Sequence, residues 1–393
     1  MMLRRSFVTT ALAAFARPKA RVTAVDLFPV RATERTVWLL VRVKTDAGIT
    51  GWGEASDAFG FTSTTKDDQA KLAALLKSLS PLITGKSPLD IEPFRQAAFP
   101  QATSLVTATA ISAIEQALWD ITGQLLDLPV HALFGGKTRS KLPVYANINR
   151  ATKPRTPDGF AASAKAAARD GFRHLKLAPW DGFPKPGSPQ KEIDAYVDQG
   201  IACLFAVRQA VGPDIAVMTD CHSFFSVPLA INVAKRLEPV NLGWYEEPVP
   251  PEQTRETVEI RQGIKQQMAG GEILFRVKGF EPLCRQHAVH VIMPDVKHCG
   301  GLLEMTHIAA MAEAHGVTVA PHNPSGPIAT AASIHVCAGM KNFHILEMQW
   351  GEVDWRGRLL KPEEKFVNGE IAVSDAPGLG VTVDETLAAK FLA

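Results

Sequence analysis

Three acidic residues, Asp220, Glu246 and Glu272, stand 26 positions apart, each at or just past the end of a short apolar run: IAVMTD, NLGWYEE and the stretch ending MAGGE. Carboxylates are hard oxygen donors, and three of them brought together suit one hard divalent cation. The series continues in the same rhythm with Asp295 after VIM, His322 after VTVAP and Glu347 after FHIL, at gaps of 23, 27 and 25. Packing alone does not ask for acids and a histidine at strand ends. This is the skeleton of a metal-assisted enzyme.

An interval of that length holds one strand, one helix and two loops, so successive βα units would deliver these side chains to one mouth of a parallel barrel. From Val144 onward strand and helix patterns alternate through eight strand candidates: VYANI, FRHLKLA, IAVMTD, LGWYEE, a weaker one before Glu272, VHVIMPD, VTVAP and FHILEM. Seven βα units closed by the last strand give an α/β fold, a modified TIM barrel of (β/α)7β type. Ahead of it, VTAVDLFPV, TVWLLVRVKTDAG and ITGWGEAS form an antiparallel start. Helical periodicity follows in DDQAKLAALLKSLSPLI and from Ala108 to Leu125, where Ile111, Ile114, Leu118 and Ile121 share one face. The expected division is an α+β capping domain at 21–142, the barrel at 143–352, and a segment at 353–393 that returns to the cap. The loops 57–68 and 179–190 are expected at the barrel rim, and with 29–36 they would meet the substrate.

At 393 residues the chain has room for a large core, and its 46% hydrophobic and 21% charged content is that of an ordinary globular enzyme. A formal charge of +2, with the basic residues dispersed, makes no case for nucleic acid. No segment reaches the run of about 18 apolar residues that a membrane span requires. The five cysteines, Cys203, Cys221, Cys284, Cys299 and Cys337, are odd in number and lack CxxC spacing, so they read as reduced and structural. Residues 1–20 stand apart: Arg4-Arg5-Ser6-Phe7-Val8 followed by TTALAAFA resembles a twin-arginine export signal with Ala14-Phe15-Ala16 as its cleavage box. Such a leader would place the protein in the periplasm, and without it the protein would be cytoplasmic.

The ordered set Lys176, Asp220, His222, Glu246, Glu272, Asp295, His322 and Glu347 resembles the enolase superfamily in its mandelate-racemase-like branch. WYEEPVP at 244–250, MPD at 293–295 and MAEAHGVTVAPHNPSGPIATAA at 311–332 match as well, the last being similar to sugar-acid dehydratases of the galactonate dehydratase type. The resemblance covers the chain from about residue 21 to its end. It implies a Mg²⁺ enzyme that removes the proton α to a carboxylate, with Asp220, Glu246 and Glu272 holding the ion. The α proton is so weakly acidic that a side-chain base needs a cation and donors to meet the developing charge. A small acid sugar is the implied substrate, and the family's lean toward dimers and octamers implies a homo-oligomer.

By the same resemblance His322 is the base and Asp295 its partner. Lys176 matches the first lysine of the family's Lys-x-Lys motif, but Ala178 fills the second place, which opposes two-base racemisation. His222 matches the acid that protonates a departing β-hydroxyl, and residues i and i+2 of a strand face the same way, which would put it beside Asp220. Where those relatives have Gly-Arg, Ser223-Phe224 follows it here. Glu347 matches the last-strand acid near the substrate carboxylate, where neighbouring negative charge would raise its pKa and keep it protonated. The expected reaction is dehydration of an aldonic or aldaric acid to a 2-keto-3-deoxy acid. The competing readings are an epimerase or racemase, a cycloisomerase, or a non-catalytic sugar-acid binding protein. Asp26, Glu54, Asp57 and the other histidines are expected to serve only surface or local pairing.

Overall fold

The computed structural model describes residues 19–60 and 63–393. All but the last two residues of the leader-like stretch lie outside the described residues. Three antiparallel strands, Val22–Arg31, Val37–Thr45 and Thr50–Glu54, open the chain. Side chains of a strand alternate between faces, and here both faces are buried. Val37, Leu39, Val41 and Val43 pack into the cap's own core with its helices, while Trp38 and Leu40 join the core shared with the barrel.

The helix Leu105–Leu126 begins at a capping box between Ser104 and Thr107 and lies on the strand Thr50–Glu54. Gly51 and Gly53 permit this contact. A Cβ at either would fall 2.2 Å from the carbonyl oxygen of Ala117 or 1.9 Å from that of Ala113. The expected face of Ile111, Ile114, Leu118 and Ile121 packs into the cap core.

Eight parallel strands follow: Lys141–Asn147, His174–Leu177, Ala216–Asp220, Tyr245–Glu246, Met268–Gly270, Val291–Ile292, Thr318–Val319 and Leu346–Gln349. Each of the first six pairs with the next, the eighth pairs with the first, and a bridge from Val319 to Phe343 joins the seventh to the segment leading into the eighth. Seven helices connect them, and the eighth strand leads into no further barrel unit, only short helical turns such as Glu385–Ala388 in the last segment, which is the (β/α)7β arrangement. The last segment instead pairs Glu370–Ala372 antiparallel with the start of the first barrel strand and returns to the cap. There Leu392 bridges to Val30, and Phe391 stacks on Trp355 at 4.0 Å, which in turn meets Trp38.

Two buried glutamates of the cap hold the barrel by the ends of its helices. Glu54 accepts hydrogen bonds from the amides of Gly326 and Ala329, at the start of the helix Pro327–Gly339. Glu115 accepts from Leu302 and Leu303, the first residues of Leu302–Ala314. Helix starts leave amide donors without intrahelical partners and carry partial positive charge, so buried carboxylates there satisfy both. Glu54 thus departs from the expected surface or local pairing, since its partners lie some 270 positions along the chain.

Candidate active site

The barrel brings the whole predicted series to one end. Lys176 sits in the second strand, Asp220 and Glu246 end the third and fourth, and Glu347 lies in the eighth. Glu272, Asp295 and His322 stand two or three positions past the fifth, sixth and seventh strands, on the loops at the same mouth. Strand ends converge there because the strands are parallel and their connections return the chain to the other end each time.

Asp220, Glu246 and Glu272 are buried, and each offers a carboxylate oxygen within 4.8 Å of the others. Burial, together with the charge of Asp220, pushes the Glu246 carboxyl well above the ordinary range. Burial and the neighbours Glu247 and Asp220 do the same to Glu272. Asp220 is held low because His222 and Lys176 outweigh its burial. Oε2 of Glu272 is buried and accepts no hydrogen bond. Three buried oxygen donors with more negative charge than their surroundings offset fit a hard divalent cation. Glu247, beside the ligand set, accepts the amides of Gly271 and Glu272 at 2.6 and 3.1 Å and so fixes the loop that carries Glu272.

Nδ1 of His322 lies 2.8 Å from Oδ2 of Asp295, and its Nε2 lies 3.3 Å from Oε2 of Glu272. Asp295 is fully buried, yet Lys297, His298 and His322 hold its carboxyl below the usual range. A carboxylate on Nδ1 orients the imidazole and supports a proton on it. His222 closes the other side, with Nδ1 2.5 Å from Asp181 and Nε2 3.0 Å from Asp220. It reaches this place differently from the strand alternation expected. The strand ends at Asp220, and His222 and Ser223 turn in left-handed backbone at φ 45° and 61°. The side chain of Asp220 fixes that turn by accepting the amide of His222 at 2.9 Å.

Lys176 is buried, with Nζ 2.7 Å from Glu246, 3.1 Å from Glu347 and 3.6 Å from Asp220. Burial disfavours its charge, but Glu246 and Glu347 more than compensate and hold it as an ammonium. Glu347 corrects the expectation of a protonated acid. Its Oε1 accepts from Asn147 and Lys176, and its Oε2 accepts the amide of Asn323. Burial would raise its pKa, yet Lys176, His322 and these donors pull it below the usual range, so it is an ionised acceptor.

Seven further residues line the cleft beside Lys176, Asp220 and the two histidines: Arg35, Asn147, Asn149, Arg150, Asp181, Pro324 and Gln349. Arg35 lies in the 29–36 segment and Asp181 in the 179–190 loop, both expected to meet the substrate, though nothing in the sequence marks these two residues within them. Asn147 and Asn149 alternate at the end of VYANIN, a polar signal that does mark the mouth. Phe183 of the 179–190 loop stacks on Phe224, next to His222. In the 57–68 loop, Asp57 reaches Arg150 and Lys297, a long-range role in place of the local pairing expected. Ala178 is buried where the motif's second lysine would stand, its amide donating to Asn149 and its carbonyl accepting from Arg155. The five cysteines are buried and unbridged. Among the described residues no helix is long and apolar enough to cross a membrane.

Residues 19–135 match the mandelate racemase / muconate lactonizing enzyme N-terminal domain, and residues 159–387 match the enolase C-terminal domain-like family. A D-xylonate dehydratase of Haloferax volcanii is 33% identical over 88% of this chain and 83% of its own length. A D-galactonate dehydratase of Ralstonia pickettii is 32% identical over 89% and 90%. Among solved structures, the mandelate racemase/muconate lactonizing enzyme from Sulfitobacter sp. superposes with a TM-score of 0.84 at 28% identity, covering 95% of this chain and 96% of that one. With the barrel, its cap and these matches in hand, the chain belongs to the mandelate racemase / muconate lactonizing enzyme family of the enolase superfamily.

Proposed function

We propose that this protein is a Mg²⁺-dependent hydro-lyase that dehydrates an aldonic or aldaric acid to its 2-keto-3-deoxy acid. The observation that carries the reading is the pair of carboxylate-backed histidines, His322 on Asp295 and His222 on Asp181, on either side of one triad of acids. Its relatives named D-xylonate and D-galactonate dehydratase support the same chemistry.

Asp220, Glu246 and Glu272 would hold the ion, which supplies positive charge to the substrate carboxylate and to the charge that grows when the α proton leaves. Lys176 adds a fixed cation beside it. His322 takes the α proton on Nε2, and Asp295 stabilises the imidazolium through Nδ1. The electron pair of the broken C–H bond is first delocalised onto the substrate carboxylate, and in a second step it forms the carbon–carbon double bond as the β C–O bond breaks. His222 gives its proton to the departing oxygen, which leaves as water, and Asp181 holds that ring. The enol then takes a proton at C3 and loses one from oxygen to become the ketone. Glu347, ionised, orients Lys176, Asn147 and the amide of Asn323 and donates no proton. With Ala178 in place of a second lysine, no base faces His322 from the second strand, which disfavours racemisation.

A panel of aldonic and aldaric acids incubated with the Mg²⁺-loaded protein, with 2-keto product followed as its semicarbazone, tests the reading. At least one member should be consumed with loss of one water. Consumption of none, or epimerisation without loss of water, would contradict it.

A further inference from the structure

An alternating chain of buried and partly buried charges runs from the His322–Asp295 pair into the cap. Oδ2 of Asp295, which meets His322, also lies 3.4 Å from Nζ of Lys297. Lys297 is fully buried, and its Nζ lies 3.2 Å from Oδ2 of Asp57. The other oxygen of Asp57 faces Arg150 at 3.5 Å, and Arg150 meets Glu352 at 3.2 Å. Glu352 in turn accepts the hydroxyl of Thr36 at 2.6 Å, a second cap residue. Asp57 stands in the turn after the strand Thr50–Glu54 on left-handed backbone at φ 61°, the conformation that aims its carboxylate at both cations.

Lys297 fixes the carboxylate of Asp295 by two routes. Its amide donates to Oδ1 at 2.7 Å, and its ammonium lies beside Oδ2. An ammonium this close competes with His322 for that oxygen, and a second carboxylate on its far side draws it back. Buried charges of this kind are costly when one partner is removed, because the other is left without compensation. Asp57 is the only acid besides Asp295 within ion-pair distance of Lys297 among the described residues.

We propose that Asp57, carried by the cap, is a positioning residue for His322, acting through Lys297 and Asp295, so that seating the cap's loop on the barrel completes the base. The proposal rests on His322 being the base of the dehydration proposed above.

The test compares Asp57→Asn, Lys297→Met and the double variant as full-length, Mg²⁺-loaded proteins. The substrate is the sugar acid that the wild type dehydrates in the panel, with and without deuterium at C2. Asp57→Asn should lower kcat about tenfold, a barrier change of about 1.4 kcal/mol, with KM within about twofold of the wild type. Lys297→Met should lower kcat about a hundredfold, and the double variant should lie within about threefold of it, because Asp57 acts through Lys297. The deuterium effect on kcat should be at least as large as in the wild type, since slower proton removal limits turnover; loss of folded protein would leave it unchanged and lower the unfolding temperature. An unchanged kcat in Asp57→Asn, a loss confined to KM, multiplying effects in the double variant, or a deuterium effect falling towards one would each overturn the proposal. Should the wild type dehydrate no sugar acid, the functional reading fails instead. A crystal structure of Asp57→Asn then decides the positioning claim, which an unmoved His322–Asp295 pair would contradict.

Discussion

His222 and Asp181 come from the loops after the third and second barrel strands, and their side chains meet at 2.5 Å. Asp181 is held in turn by Arg155 at 3.0 Å. This gives His222 the arrangement that Asp295 gives His322, a carboxylate on Nδ1 that fixes the ring. Asp181→Asn should therefore slow loss of water while leaving α-proton removal in place. Steady-state assays should find kcat reduced roughly ten- to a hundredfold, a share of the 10²–10⁴ that acid–base groups supply. Exchange of the α proton slowed in parallel would show that Asp181 serves the whole site and not the acid alone.

Asp220, Glu246 and Glu272 should bind one Mg²⁺. Chelation should abolish turnover and Mg²⁺ should restore it, while calorimetric titration should find Glu246→Gln without the high-affinity site. Full turnover by protein shown to be metal-free by elemental analysis would defeat the assignment.

The cap's grip on the barrel should be sensitive to pH through Glu115. Burial raises its carboxyl from 4.5 to about 7, even with donors from Leu302, Leu303 and Trp119. A carboxyl raised in the folded state contributes stability that is fully present below its unfolded value and is lost as pH rises through about 7. At one pH unit per 1.36 kcal/mol, that contribution is on the order of 3 kcal/mol between pH 4 and 8. Glu115→Gln has no proton to lose there. Its unfolding temperature should fall less steeply than the wild type's over that interval, and an identical slope would count against the argument.

What the sequence made legible was whatever the βα rhythm governs. Strand ends recur at a fixed interval, so Asp220, Glu246, Glu272, Asp295, His322 and Glu347 could be assigned to one mouth before any fold was seen. Residues that reach the site from loops carry no such rhythm. Asp181 and Arg150 stand among ordinary turn residues, and only the tertiary fold brings them to His222 and the cleft. The ionised state of Glu347 is not legible in the sequence, which shows only acids at the neighbouring strand ends, whereas in the fold Lys176, Asn147 and the amide of Asn323 supply three donors. Glu54 and Glu115, both buried, and the partly buried Asp57 lie at the seam between cap and barrel, a surface that periodicity within either half does not reveal.

The central claim, a division of labour between two histidines, is tested most directly by proton NMR of the substrate in D₂O with His322→Asn and His222→Asn. His322→Asn should lose both dehydration and exchange of the α proton, since Ala178 offers no base on the other face. His222→Asn should lose dehydration, by about 10²-fold or more, yet keep exchange, because proton removal needs only the base and the cation. Loss of exchange in both variants, or brisk dehydration by His222→Asn, would contradict the account.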